Sequence, residues 1–251
     1  MFADAVCFNP QRIRAEQKLA VRLRQWNYER RRFYLQHIPD FERLTDKPIE
    51  IGAIRDAWAH KMEVNNIGDL NRLYCLGLNL KEVLGRCESG AIAELGVFQG
   101  NSAKILHMLA PDRTLYLFDT FEGLPEDDLK NDGIDTQAPR FSCGMNSVQE
   151  FIGQSENIIY CKGYFPKTTN EVKQGTKFAF VHLDCDLYTP IKAGLEYFYP
   201  NTLSGGVIVV HDYLSGYWPG VKIAVDEFLV DKPEHIVHIP DKSGSVIFVK
   251  S

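Results

Sequence analysis

The sequence predicts an α/β protein with a mostly parallel sheet covered by helices on both faces. Three observations carry that prediction. From residue 90 onward, short apolar runs alternate with segments of helical length, the pattern of repeated βα units. Several of these runs end in a carboxylate, at Glu94, Asp119, Asp184 and Asp212, as strands do when their carboxyl ends face a ligand. The last two runs, EHIVHIP and SGSVIFVK, are joined by DKSG, a turn signal for an antiparallel hairpin.

The elements follow in order. Residues 1 to about 88 read as helical, with candidates in QRIRAEQKLAVRLRQWNYERRRFYLQ, LTDKPIEIGAIRDAWAHK and NIGDLNRLYCLGLNLKEVLGRCESG. The third places Leu70, Leu73, Leu76, Leu80 and Leu84 at three- and four-residue steps, with Gly90 as its stop. AIAEL is the first strand, and NSAKILHMLA a helix with Asn101 or Ser102 as its cap. TLYLFD, NIIYCKG and KFAFVHLD are further strands, with the helix NSVQEFIGQ between TLYLFD and NIIYCKG. TPIKAGLEYFYP is a helix, GGVIVVHD the fifth strand, and PGVKIAVDEFLV a helix with Pro219 in its first turn. Residues 122–145 form the longest irregular stretch, expected to be a lid or an excursion. Two domains are expected: a helical extension over 1–66, serving as lid or oligomer contact, and a catalytic domain over 67–251.

Composition narrows the function. The chain has 251 residues, 45% of them hydrophobic, enough for one large core with added elements. With 28 Lys+Arg against 33 Asp+Glu, no basic excess points to nucleic acid. The run Arg30, Arg31, Arg32 reads as a solvated helix face. Six cysteines lie at spacings that suit neither a zinc site nor a disulfide framework, so free thiols in a reducing cytoplasm are expected. MFADAVCFNPQRIRAEQ holds no sustained apolar stretch, so no signal peptide is expected, and no run has the length of a membrane span.

Three motifs carry chemistry. In AIAELGVFQGNSA a strand ends in Glu94, and Gly96 and Gly100 lead into a helix. Glycines let a ligand approach the backbone closely. The spacing is GxxxG rather than the GxGxxG of dinucleotide binders, and an acid before the first glycine suits a cationic ligand such as S-adenosylmethionine better than a pyrophosphate. A tight βα turn that simply needs glycine explains the same residues. Asp119, which ends the second strand in LYLFDTFEGLP, can accept two hydrogen bonds from a ribose diol; an ordinary capping Asp is the alternative. In KFAFVHLDCDLYTP and GGVIVVHDYLSG, two strands end in Asp184, Asp186, His211 and Asp212. On neighbouring strands, about 4.8 Å apart, these side chains converge. Carboxylates so placed repel one another unless a proton or cation joins them, and a hard divalent ion takes such oxygen ligands. Asp186 also suits a helix cap, His182 a buried hydrogen-bonded histidine, and Cys185 core filler on the opposite face.

Taken in order, ELGVFQGNSA, LFDTFEGLP, KGYFPKT, HLDCDLY and GGVIVVHDY resemble the macrocin-O-methyltransferase (TylF-type) family over roughly residues 67–250. The resemblance implies a Rossmann-like class I methyltransferase fold: a seven-stranded, mostly parallel sheet with an antiparallel C-terminal hairpin, plus N-terminal helices. It implies S-adenosylmethionine as cofactor and a sugar or glycoside hydroxyl as acceptor, in natural-product biosynthesis. Glu94, Gly96, Val97 and Gly100 would line the cofactor's methionine part. Asp119 would hold the ribose, flanked by Thr120 and Phe121, and Tyr164 and Phe165 would lie near the adenine. Asp184 would be a metal ligand, a cofactor neighbour and the proton acceptor, and Asp212 a second ligand. The chain departs from the family in one respect: metal-dependent members tend to have two acids after the fifth strand, and here the pair is His211-Asp212. Two options therefore stand. Mg²⁺ or another divalent ion sits on Asp184, His211 and Asp212, or no metal is used and His211 is the base.

The expected activity is O-methyl transfer to a small-molecule hydroxyl, with no nucleic-acid or membrane partner and a homo-oligomer formed through the N-terminal helices. The rivals are a non-catalytic cofactor-binding scaffold and a nicotinamide-dependent oxidoreductase, the latter disfavoured by GxxxG.

Overall fold

The computed structural model describes residues 51–61, 66, 69–135 and 141–251. The first helical candidate, residues 11–36, lies outside the described residues. Among the described residues, the helices α1 (Ile51–Ala59) and α2 (Leu70–Arg86) precede the sheet. Then follow β1 (Ala91–Leu95), α3 (Asn101–Leu109), β2 (Leu115–Asp119), α4 (Glu126–Asn131), α5 (Met145–Ile152) and β3 (Ile158–Lys162). After a 3₁₀ turn at Lys167–Glu171 come β4 (Phe178–Leu183), α6 (Tyr188–Asn201), β5 (Thr202–Val210), α7 (Pro219–Leu229), β6 (Val237–His238) and β7 (Val246–Val249).

The strands make one seven-stranded sheet in the order β3-β2-β1-β4-β5-β7-β6. β1 to β5 run parallel, and β7 lies antiparallel between β5 and β6. The chain winds outward from β1 to β3, then returns to place β4 on the other side of β1. Strand order thus reverses between β1 and β4, which opens a crevice at their carboxyl ends.

Side chains alternate across the sheet as a pleat requires. Ile92, Leu115, Leu117, Val207 and Val209 face a core shared with Leu73, Leu76 and Leu80 of α2, Ile105 and Leu106 of α3, and Val148 of α5. Ala93, Tyr116, Phe118, Val181, Ile208 and Phe248 face the other core, closed by Leu129 of α4, Ile191, Leu195 and Phe198 of α6, and Val221 and Val225 of α7. α1 belongs to the first core. Ile54 and Trp58, one helical turn apart, are buried there, and the Trp58 indole donates to the Asn66 carbonyl at 2.7 Å. The boundary expected at residue 66 therefore falls between two helices that share one core.

Three local expectations need correcting. Asn101 does not cap its own helix: Gly100 precedes α3 in the left-handed region (φ 82°), and the Asn101 amide donates to the carbonyls of Ala57, Trp58 and His60, closing the end of α1 instead. α2 stops at Arg86, where Cys87 turns extended, four residues short of Gly90. The irregular stretch 122–145 holds α4, with Glu126, Asp127 and Asp128 in its first turn and Lys130 in its last, charges that complement the helix dipole. Fully buried Leu129 anchors that helix to the sheet.

The outer edge is tied down by Glu234. Its carboxylate accepts from the Ser251 amide at 2.9 Å, the Ser251 hydroxyl at 2.7 Å and the Tyr199 hydroxyl at 2.7 Å. Burial opposes its charge, yet these donors bring its pKa down to about 2. The folded value lies below the unfolded one, so this stabilisation is complete above about pH 4.5 and fades as pH falls toward 2. Glu234→Gln is expected to flatten that part of the acid-unfolding curve, measured by tryptophan fluorescence between pH 2 and 5. An unchanged curve would remove Glu234 from the acid response.

Candidate active site

The crevice is a cavity of about 720 Å³ whose described walls come from the loops after β1, β2, β3, β4 and β5, joined by the start of α2 and the turn before β7. Of the residues singled out in the sequence, Gly96, Val97, Asp119, Thr120, Tyr164, Phe165, Asp184, His211 and Asp212 lie on its wall, as does Asp186. Glu94, Gly100 and Phe121 stand behind it. Glu94 is fully enclosed and bonds His182 Nδ1 at 2.7 Å, its register partner on β4. A Cβ on Gly100 would meet Val148 and Ile152 at 3.0 and 3.2 Å, so the missing side chain makes room for α5. The Phe121 ring is buried in the first core, near Tyr160.

Gly96 is needed where two turns meet. Its φ is 90°, and a Cβ there would lie 2.0 Å from the carbonyl oxygen of Asp184. Gly96→Ala must therefore displace the backbone that carries Asp184, in addition to straining its own. A loss of about 3 kcal/mol is expected in denaturant unfolding, together with loss of ligand binding. Wild-type stability in this variant would show that the two turns do not meet so closely.

Asp119 organises one end of the cavity. Its Oδ2 accepts from the amides of Val97 (2.7 Å) and Phe98 (2.9 Å), and its Oδ1 from the amide of Phe121 (2.7 Å). One carboxylate thus ties the turn after β1 to the turn after β2. Phe98 (φ 49°) and Phe121 (φ 57°) both sit in the left-handed region that non-glycine residues avoid, and these bonds help to hold them there. Of about four acceptor positions on the carboxylate, one stays open on Oδ1 for a ligand hydroxyl. Beyond it, Tyr164 donates its hydroxyl to Asp128 of α4 at 3.1 and 2.9 Å, and burial with that carboxylate pushes the phenol up to about 12. The pair forms a partly polar stretch of the cavity wall.

The other end is charged. Asp184, at the end of β4, offers Oδ1 to His211 Nδ1 at 2.8 Å and Oδ2 to the guanidinium of Arg72 on α2. The same His211 nitrogen lies 2.9 Å from Asp212 Oδ2. Burial works against the charge of Asp184, but Arg72 and His211 hold its carboxyl well below the usual range. Burial and Arg72 both oppose protonation of His211, yet the carboxylates of Asp212 and Asp184 raise its pKa well above the ordinary value. Asp186 goes the other way: burial and the nearby charges of Asp212 and Asp184 raise it well above the carboxylate range, and it shares a hydrogen bond with Asp212. The cluster therefore combines Asp184 and Asp212, whose pKa values are lowered, with Asp186 and His211, whose values are raised, and the guanidinium of Arg72. Arg72 was missed in the sequence because it lies 112 residues from its partner.

Asp184, His211 and Asp212 each place one ligand atom within 4.8 Å of the others, a spacing that a metal could span. The occupants argue differently. His211 Nδ1 is directed at both carboxylates, its Nε2 is enclosed, and Arg72 sits on the remaining oxygen of Asp184. Imidazole is also a poor ligand for Mg²⁺. The residues present do not fit a resident Mg²⁺.

Known proteins can now be set beside this geometry. The chain is 27% identical over 176 residues to demethyldecarbamoylnovobiocin O-methyltransferase of Streptomyces niveus, a match covering 63% of this chain and 65% of that one, so the chain spans just under two thirds of its relative's length. Its fold is similar to the O-methyltransferase NovP (TM-score 0.62, 22% identity, 74% of this chain and 81% of that one). It is equally similar to the calicheamicin methyltransferase CalS11 (TM-score 0.62, 21% identity, 83% and 89%). The TomG O-methyltransferase of Streptomyces achromogenes, solved with S-adenosylmethionine, shares the fold at TM-score 0.53 and 16% identity, over 84% of this chain and 94% of that one. The model of the macrocin-O-methyltransferase (TylF) family matches residues 57–240, from within α1 to beyond β6, and the chain belongs to that family.

Proposed function

We propose that this protein is an S-adenosylmethionine-dependent O-methyltransferase acting on a hydroxyl of a sugar or glycosylated small molecule. One observation carries the chemistry: an ionised carboxylate, Asp184, opens onto the same cavity as Asp119, the carboxylate that organises the cofactor end. S-Adenosylmethionine supplies an electrophilic methyl group, and the acceptor oxygen takes it as sulfur leaves with the bonding pair.

Val97, Asp119 and Thr120 would hold the ribose and methionine parts, and Tyr164 and Phe165 the adenine. Asp184 orients the acceptor hydroxyl and receives its proton. An ionised carboxylate offers about four acceptor positions, and His211 and Arg72 use two. Its low basicity is no obstacle, since the hydroxyl becomes strongly acidic as the new C–O bond forms. Asp184 is also the most exposed member of the triad: 18% of its side chain is accessible, against 8% for His211 and 8% for Asp212. His211 and Asp212 position it, and the His211 Nε2 is enclosed, so His211 is not the group the hydroxyl meets. Alignment of two bound reactants can supply about 7–11 kcal/mol of the barrier.

The acceptor class rests on the relatives. One is named for demethyldecarbamoylnovobiocin, and CalS11 is described as a TDP-rhamnose 3'-O-methyltransferase. The described cavity wall adds aromatic rings, with Phe98 edge-on to Phe141 and Phe141 beside Trp218, surfaces that suit the apolar face of a sugar ring or an aryl aglycone. None of the described helices is long and apolar enough to cross a membrane.

The test is calorimetric titration with S-adenosylhomocysteine, followed by transfer of labelled methyl to a panel of nucleotide sugars and aryl glycosides. Saturable binding with labelled product on a sugar hydroxyl is expected. Binding with no product on any glycoside would favour the scaffold reading, and no binding would end the methyltransferase reading.

A further inference from the structure

We propose that Arg72 is the resident cation of this active site, standing where a divalent metal would otherwise neutralise Asp184 and Asp212, and that it positions Asp184 for the acceptor. The reaction half of this inference rests on the methyltransferase reading; the cation half stands on geometry alone.

Arg72 lies in the first turn of α2, whose Leu73, Leu76 and Leu80 are fixed in the core. That anchoring carries the guanidinium over the carboxyl ends of β4 and β5. Only 15% of the side chain is accessible, and its ion pair with Asp184 spans the crevice from α2 to β4. Its charge also feels Asp69, Asp212 and Asp241. The other groups facing it are carboxylates with partners of their own: Asp69 accepts from the Lys242 amide at 3.2 Å, and Asp241 from the Ser245 amide at 2.8 Å. The indole of Trp58 flanks it, with the guanidinium carbon 5.7 Å from the ring centre. A residue so placed, with a charge that persists at any working pH, is part of the built site rather than a surface side chain crossing by chance.

The consequence is electrostatic. A dication placed among Asp184, His211 and Asp212 would meet a fixed positive charge already bonded to one of its ligands, so entry requires Arg72 to leave Asp184. A guanidinium does part of a metal's work. It keeps Asp184 ionised, and by holding Oδ2 it fixes the plane of the carboxylate, leaving the free lone pairs directed at the cavity. It cannot bind the acceptor oxygen as a metal would, so the proton must pass to Asp184 itself.

The experiment compares wild type with Arg72→Met, Arg72→Gln and Arg72→Lys. Mn²⁺ binding is followed by the electron paramagnetic resonance of free Mn²⁺, Mg²⁺ binding by calorimetry, and S-adenosylhomocysteine binding on the same samples. The neutral variants are expected to bind Mn²⁺ at least about tenfold more tightly than wild type, with Arg72→Lys close to wild type. Two neutral variants are used so that one poorly folded protein does not decide the matter, and thermal unfolding identifies it. In turnover, Arg72→Met is expected to lower kcat with little change in the KM for S-adenosylmethionine, and Arg72→Lys to recover part of it. No gain in Mn²⁺ affinity in either folded neutral variant, whatever the wild-type affinity, overturns the inference. Failure of the methyltransferase reading is separate, because it appears as absent S-adenosylhomocysteine binding in wild type.

Discussion

Asp184→Asn is expected to lower methyl transfer by about 10²–10⁴-fold while S-adenosylhomocysteine still binds within a few-fold of wild type. The substitution keeps the shape of the side chain and removes the charge. Three things then fail together. The acceptor hydroxyl loses the group that takes its proton, Arg72 loses its counter-ion, and the amide nitrogen must face either Arg72 or His211 Nδ1–H, both donors. The neighbouring acid gives the contrast. Asp186 shares a hydrogen bond with Asp212, and burial and the charges around it raise its pKa well above the carboxylate range. Asn in its place also donates, so Asp186→Asn is expected to keep activity within about tenfold. The pair of variants is read by single-turnover transfer on the best glycoside. Equal loss in both would mean that the acids act as one metal-binding unit, and full activity in Asp184→Asn would remove it as the proton acceptor.

The two acids also show what a sequence can and cannot disclose. That Asp184 and Asp212 meet follows from strand order and period alone: both lie at carboxyl ends, and β4 and β5 are neighbours. That the pKa values of Asp184 and Asp186 shift in opposite directions does not follow, because Arg72 and His211 act on the first while burial and Asp212 act on the second. His182 reads in the sequence as a buried hydrogen-bonded histidine, and the structure supplies its partner, Glu94, opposite it in the β1–β4 register. Knowing that register would have placed Glu94 beside His182, behind the cavity wall. Arg72 shows the limit most clearly. Helical periodicity marks Leu73, Leu76 and Leu80 as the buried stripe, and leaves Arg72 among polar positions that usually face solvent. Only the seating of α2 across the crevice turns that position toward Asp184. A weaker signal was readable and missed in PEDDLKN: proline, three acids and a later lysine within seven residues announce the short helix α4.

Asp119→Asn is expected to damage both folding and cofactor binding, although the side chains have the same shape. Three backbone amides point at this carboxylate, two at Oδ2 and one at Oδ1. An asparagine has one acceptor oxygen and one donor nitrogen. If the oxygen faces Val97 and Phe98, the nitrogen meets the Phe121 amide; in the reverse orientation it meets two amides. At least one N–H is left opposed by another donor, at a cost of about 1–3 kcal/mol, and the charge that strengthened the remaining bonds is gone. The residues released are the ones under strain, Phe98 and Phe121, so both turns are expected to relax away from their left-handed conformations. Unfolding in urea should therefore show a loss of about 2–4 kcal/mol. S-Adenosylhomocysteine affinity should fall at least about tenfold, because the turn after β1 and the open Oδ1 position are lost together. Stability and binding separate the two duties of the residue. Lost affinity with wild-type stability would make Asp119 a ligand group alone, and lost stability with intact affinity would make it a strut between the two turns.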